Sequence, residues 1–79
     1  MYLSEATRLR IEKLMKKKNL TGNKLALNSG MDRSNINKFL KGKNKSITLE
    51  SIALICQSLN MPIKDFFDDK VFDDVDVDD

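Results

Sequence analysis

The sequence contains no histidine or tryptophan, and only one cysteine, one proline and three glycines in 79 residues. The lack of histidine removes the most common general base and metal ligand and the usual sensor of physiological pH. The single cysteine rules out an internal disulfide, which favours a reducing compartment such as the cytoplasm. No apolar run is long enough for a membrane span, and the N-terminus lacks a signal-peptide pattern. We therefore predict a cytoplasmic protein that is not an enzyme and uses no metal, cofactor or membrane.

Charge is distributed unevenly along the chain. Residues 1–64 carry thirteen basic residues against four acidic ones, a net charge of +9. Residues 65–79 carry eight aspartates against one lysine, a net charge of −7. A basic body of this kind favours a polyanionic partner. The alternative is a solvated surface whose acidic tail only aids solubility.

Apolar residues recur with helical spacing through the first 67 residues, between residue types that favour helix starts and stops. The pattern predicts an all-α fold, a compact bundle of five helices at about 4–18, 23–28, 33–41, 49–59 and 63–67. The predicted N-caps of the first four helices are Ser4, Thr21, Asp32 and Thr48. The predicted inner faces include Leu3, Leu49, Cys56, Phe66 and Phe67, whereas Leu9 and Leu27 fall off the apolar stripes.

The last twelve residues differ in character from the rest. Their density of like charge resists compaction, so the sequence predicts a domain at 1–67 followed by an acidic, disordered tail at 68–79. The alternation from Val75 to Asp78 is also compatible with a strand added to a partner.

Two short helices around Gly30 meet the physical requirements of a helix-turn-helix. Ala26 gives the first helix a small side chain where the two helices cross, and Gly30 allows a positive φ in the turn. Ile36 and Phe39 anchor the second helix by one face. The opposite face is left for a partner, and it carries Arg33, Ser34, Asn37, Lys38 and Lys41.

The spacing Ala-x3-Gly-x5-Ile at Ala26, Gly30 and Ile36 resembles the helix-turn-helix signature. Over residues 5–67 the sequence resembles the phage-repressor and Cro type of DNA-binding domain, the XRE-like transcriptional regulators. The resemblance implies a five-helix bundle of the lambda-repressor-like type, with double-stranded DNA as partner and a homodimer as the binding unit. It also implies that the second helix of the motif lies in the major groove.

The resemblance implies two sets of DNA contacts. Arg33, Ser34, Asn37 and Lys38 face base edges, where arginine suits guanine and asparagine suits adenine. The phosphate contacts that it implies are Thr21, Asn23, Asn35, Lys41, Lys43, Asn44 and Lys45.

Gly22 departs from the family pattern, which has glutamine after the capping threonine. In the family that glutamine touches phosphate and braces the recognition helix. Glycine lacks this side chain and weakens the start of the helix. Asn23, or the N–H groups of the helix end, are the remaining candidates to hold a phosphate.

The sequence therefore predicts a transcriptional regulator, a repressor that binds a palindromic operator as a homodimer. Helix five, with Phe66 and Phe67, is the predicted seam of the dimer. The alternative is a protein-interaction module, such as an antitoxin that binds a toxin, in which the helix-turn-helix body or the acidic tail engages the partner. Val71, Phe72 and Val75 of the tail favour this alternative.

Overall fold

Within residues 1–77, five α-helices pack around one core, which confirms the predicted all-α fold. The structure is a computed structural model and describes residues 1–77. Within these residues, no helix combines the length and the apolar character that a bilayer span requires. A short 3-10 helix, Lys70–Phe72, follows the last α-helix. The α-helices are α1 (Leu3–Lys18), α2 (Gly22–Ser29), α3 (Arg33–Leu40), α4 (Leu49–Ser58) and α5 (Ile63–Phe67).

Side-chain caps begin three of the helices where the sequence predicts them. The Thr21 hydroxyl accepts a hydrogen bond from the Lys24 N–H at 3.1 Å, and the Asp32 carboxylate accepts one from the Ser34 N–H at 2.8 Å. Thr48 caps α4 in the same way. Each bond satisfies one N–H group that has no partner within its helix. The starts of α2, α3 and α4 are therefore fixed by local sequence.

The start of α1 is fixed by a distant part of the chain. The predicted cap at Ser4 is wrong, because α1 begins at Leu3 and the preceding Tyr2 makes no side-chain cap. The Leu3 N–H instead donates to the Asp76 carbonyl at 2.7 Å, and the Asp76 N–H donates to the Met1 carbonyl at 3.0 Å. Tyr2 and Asp76 form an isolated parallel bridge. Main-chain pairing with the C-terminal segment thus replaces a local cap.

The core lies between α1, α2, α3 and α4, and α5 contributes one completely buried ring, Phe66. The predicted burial of Leu3, Leu49 and Phe67 is wrong. Leu3 and Leu49 begin their helices and Phe67 ends α5, and all three lie at the rim of the core, 39%, 65% and 37% exposed. Cys56 is buried as predicted, and this burial raises the pKa of its thiol. The buried apolar residues are Ala6, Ile11, Leu14, Leu25, Ala26, Ile36, Phe39, Ile52, Ile55, Cys56 and Phe66.

Arg10 joins α1 to the C-terminal segment. Its Nε donates to the Phe66 carbonyl at 2.7 Å, and its Nη2 donates to the Asp65 carbonyl at 2.8 Å. Its Nη1 lies 3.2 Å from the Asp69 carboxylate, which Lys13 Nζ also reaches at 3.0 Å. The guanidinium also stacks over the Phe66 ring, 5.8 Å from its centre. Arg10 therefore donates hydrogen bonds to two carbonyls at the end of α5 and neutralises an aspartate of the predicted tail.

Residues 68–77 differ from the disordered tail that the sequence predicts. Val71, Phe72 and Val75 are half-buried against their own chain, and the Phe72 ring lies 5.2 Å from the Phe67 ring. Charge repulsion is offset here because Asp69 pairs with two cations and Phe72 adds apolar contact. Residues 78 and 79, which complete the predicted tail and the predicted strand, lie outside the described residues.

Replacing Asp69 with asparagine is expected to lower the free energy of unfolding by about 1–2 kcal/mol at neutral pH, since charged hydrogen bonds to Arg10 and Lys13 are lost. The bond from the Val71 N–H, followed by those from Lys13 and Arg10, lowers the pKa of Asp69. The ionised form is therefore the stabilising one, and its contribution is present above the ordinary carboxyl pKa of about 3.9. The contribution is lost as pH falls below that value and through the lower pKa of the folded state.

Urea unfolding of the wild type and of Asp69→Asn between pH 7 and pH 2 tests this prediction. The difference in unfolding free energy should be constant above about pH 5 and shrink in acid. Asp68→Asn, at an exposed neighbouring aspartate, is the control and should change little. An Asp69→Asn protein as stable as the wild type at pH 7 would contradict the prediction.

Candidate nucleic-acid interface

The turn between α2 and α3 sets the angle at which α3, the recognition helix of the motif, leaves the core. Gly30 has a φ of 68°, a conformation that glycine adopts at little cost. The Met31 N–H donates to the Ala26 carbonyl at 2.9 Å and closes the turn. Ala26 is buried where α2 meets α3, and Ile36 and Phe39 anchor α3 from its inner face. The outer face of α3 is consequently turned away from the core.

Three of the four predicted base-facing residues lie exposed on α3. Arg33 and Ser34 form its first turn, whose backbone is held by the Asp32 cap, and Lys38 follows one turn later. The fourth residue, Asn37, is half-buried, and its amide Nδ2 donates to the Asn23 Oδ1 at 2.9 Å. The predicted base-facing residues that are open to solvent are therefore two cations and a hydroxyl.

The predicted phosphate contacts fall into two groups that flank this face. Thr21 and Asn23 are exposed at the start of α2, where the first N–H groups have no partner within the helix ladder. Lys41 ends α3 and leads into an exposed connector, which is held by bonds from the Lys43 and Asn44 N–H groups to the Lys38 carbonyl at 2.9 and 3.3 Å. The exposed residues of this second group are Lys41, Lys43, Asn44 and Lys45.

Asn35 lies next to the second group. It is exposed on the side of α3 that faces the connector and the start of α4, where it lines a shallow depression with Asn44 and Thr48. The structure therefore keeps Asn35 beside the connector and not beside Thr21 and Asn23.

The sequence profile of the Cro/C1-type helix-turn-helix DNA-binding domain matches residues 10–71. The chain belongs to this family. The solved structure titled "Crystal structure of the prophage Lp1 protein 11" is similar to the chain, with a TM-score of 0.80 and 29% sequence identity. The similarity covers 95% of this chain and 100% of that one. No curated protein matches the chain.

The Cro/C1-type domain extends past the boundary at residue 67 that the sequence predicts. The matched residues begin at Arg10 and end at Val71, and so include Asp69. Arg10 and Asp69 are the two partners of the ion pair that joins α1 to the C-terminal segment. The start of the predicted tail is thus part of the folded domain.

The motif of this Cro/C1-type domain is strongly basic. Residues 21–45 carry six lysines and arginines against one acid, Asp32. Among residues 1–77 the ion pairs are Arg8–Glu12, Arg10–Asp69 and Lys13–Asp69, and none involves the motif. Asp69 thus neutralises cations on α1, and within residues 1–77 those of the motif have no acidic partner. An exposed, unpaired basic surface of this kind attracts a polyanion.

Sequence reasoning missed the bond between Asn23 and Asn37, which joins α2 to α3. The one signal was the glycine at position 22, where the family has glutamine. An ideal Cβ at Gly22 would overlap the Asn37 Oδ1 and lie 3.2 Å from the Leu40 Cδ1. The missing side chain therefore makes room for Asn37, a relation between two helices that residue spacing does not reveal.

Proposed function

We propose that the protein is a sequence-specific transcriptional regulator, a repressor that binds a palindromic operator as a homodimer. The observation that carries the proposal is the exposed face of α3. It holds Arg33, Ser34 and Lys38, with no acidic partner among residues 1–77, on the fold of a DNA-binding family. A short helix presented in this way fits the major groove, with its N-terminal residues toward the base edges.

In this proposal Arg33 supplies the main base contact. Its guanidinium, at the first position of α3, can donate two parallel hydrogen bonds to one guanine. Ser34 adds a hydroxyl that can donate or accept, and Lys38 extends the contact by one helical turn. These three residues read the sequence, while the phosphate contacts fix the position of the helix on the duplex.

The phosphate contacts come from both ends of the motif. The first N–H groups of α2 and the amide of Asn23 face one strand of DNA, and the partial positive charge of a helix N-terminus favours phosphate there. Lys41, Lys43, Asn44 and Lys45 lie along the backbone on the other side, and Asn35 points the same way. These contacts are electrostatic and independent of sequence.

The dimer seam in this proposal is an apolar groove beside α5. Phe66, which the sequence places at the seam, is completely buried and unavailable for it. Phe67 is 37% exposed and lines a groove with Leu3, Leu49 and Val77. Large exposed apolar patches mark interaction sites, and a second copy of the chain would cover the same groove by two-fold symmetry.

Selection of binding sites from random duplexes, followed by footprinting, tests the function. The selected sites should contain two symmetric half-sites whose centres lie about 10 base pairs apart. A promoter that overlaps such a site should lose transcription when the protein is expressed. Protection of one asymmetric site by a monomer would contradict the homodimer, and equal affinity for all sequences would contradict the function itself.

Replacing Leu49 with glutamate is expected to weaken dimerisation at least tenfold without unfolding the protein. The carboxylate would enter the apolar seam, where an unpaired charge is costly to bury. At the first position of α4 an acidic residue suits the helix dipole, so the monomer should remain folded. Sedimentation equilibrium without DNA measures the effect. Leu9→Glu, at an exposed leucine outside the groove, is the matched control, and an equal loss in both variants would refute the seam.

A further inference from the structure

Asn37 lies on the recognition helix, yet its side chain is turned toward the neighbouring helix. Its Nδ2 donates to the Asn23 Oδ1 at 2.9 Å, and its Oδ1 lies against Gly22. Both polar atoms of the amide are thus directed at the first turn of α2. Arg33, one turn earlier on α3, is by contrast exposed. The amide of Asn37 is therefore placed to join two helices.

Gly22 leaves open the space that the Asn37 side chain occupies. Any side chain at position 22 would begin with a Cβ that overlaps the Asn37 Oδ1 and crowds the Leu40 Cδ1. The contact atom on Asn37 belongs to a short side chain on a packed helix, so it can escape only by rotation away from α2. That rotation would break the bond to Asn23. While Asn37 makes this bond, position 22 therefore admits only glycine.

We propose that Asn37 is a positioning residue that braces α3 against α2, and that Gly22 is the residue that admits it. The inference rests on the proposed function, because it removes Asn37 from the residues that read bases. It assigns sequence choice to Arg33, Ser34 and Lys38. It also gives Asn23 a fixed orientation: its Oδ1 accepts from Asn37, which leaves its Nδ2 as a donor toward phosphate.

The brace is lost as a unit when either asparagine is truncated. Asn37→Ala is expected to weaken operator binding about threefold to tenfold, the range of one net hydrogen bond. Asn23→Ala should weaken it further, because it removes the phosphate contact of Asn23 as well as this bond. The double variant should be no weaker than Asn23→Ala alone, since both substitutions remove the same bond. Asn28→Ala, at an exposed asparagine elsewhere on α2, is the control and should not change affinity.

The base-preference profile separates a brace from a base contact. The profile is the ratio of affinities for operators that carry each base at each position. Asn37→Ala should lower affinity for all of them by one common factor and leave these ratios unchanged. If Asn37→Ala lost its preference at one base position and Asn23→Ala did not, Asn37 would be shown to read a base. That result would overturn the inference.

Gly22 provides the reciprocal test. Gly22→Ala is expected to weaken operator binding about threefold to tenfold in the wild type and much less in Asn37→Ala, where the opposing amide is gone and only the Leu40 contact remains. An equal loss in both backgrounds would overturn the pairing of the two positions.

Measurements without DNA keep this inference separate from the proposed function. The side-chain amide protons of Asn37 should exchange more slowly with water than those of Asn28, and Asn23→Ala should remove this protection. If the protein bound no operator, the proposed function would fail, while the exchange measurement would still decide the brace. Equal exchange of the two amides in the wild type would overturn it.

Discussion

Replacing Arg33 with alanine is expected to reduce the affinity for the preferred operator by about 1–3 kcal/mol, or roughly fivefold to 150-fold. Arg33 is exposed at the first position of α3, and the Asp32 cap fixes the backbone that carries it. The side chain thus starts from a rigid point and can pair with one guanine by two hydrogen bonds. Its loss should also relax the choice of base at that position, which a competition assay against single-base operator variants measures.

Lys43→Ala is the matched control for Arg33→Ala. Lys43 lies in the exposed connector after α3, and its loss removes the same charge from a position assigned to phosphate. It should weaken all sequences by one factor and reduce the slope of log affinity against log salt by about one. Base preference that changed in Lys43→Ala and not in Arg33→Ala would contradict the assignment of α3 to the groove.

Replacing Phe66 with alanine is expected to lower the free energy of unfolding by about 3–5 kcal/mol. The ring is completely buried, packs edge-on against Phe67 at 5.0 Å and lies under the Arg10 guanidinium. Removing the ring leaves a cavity and deprives Phe67 and the Arg10 guanidinium of a packing partner. A chain of this size has only about 4–12 kcal/mol of stability in total, so the variant should be close to unfolding at 37 °C.

Phe67→Ala provides the comparison, because Phe67 is partly exposed and follows Phe66 in the same helix. Thermal unfolding of both variants should show a much smaller loss for Phe67→Ala, about 1–2 kcal/mol, since less apolar area returns to water. Equal losses for the two phenylalanines would show that α5 does not close the core in the way described.

Local patterns determined much of this fold. Thr21, Asp32 and Thr48 act as caps because each bond joins residues two or three positions apart, a distance that any helix start brings together. Gly30 takes the turn because the chain there requires a positive φ. The inner faces of α3 and α4 follow helical periodicity. The all-α fold and the position of the recognition helix are therefore carried by the sequence.

Prediction of burial from helical periodicity failed for residues at the edge of the core. Leu49 belongs to the apolar stripe of α4 by spacing, yet it lies exposed at the helix start. Spacing tells which side of a helix an apolar residue occupies, and not whether another element covers that end. The groove at Leu3, Leu49, Phe67 and Val77 exists because nothing among residues 1–77 covers it.

By itself, the sequence determined the five helices, the caps of α2, α3 and α4, the helix-turn-helix and the basic motif, because each depends on residues a few positions apart. The tertiary structure alone decided that Arg10 holds Asp69 across 59 positions and that Asn37 turns toward Asn23 across 14. Both contacts arise where packed helices bring distant side chains within hydrogen-bond range. Such pairings depend on the crossing of helices, which residue spacing along one helix does not encode. The first contact holds the start of the predicted disordered tail against α1. The second makes Asn37, a predicted base contact, a candidate brace between α2 and α3.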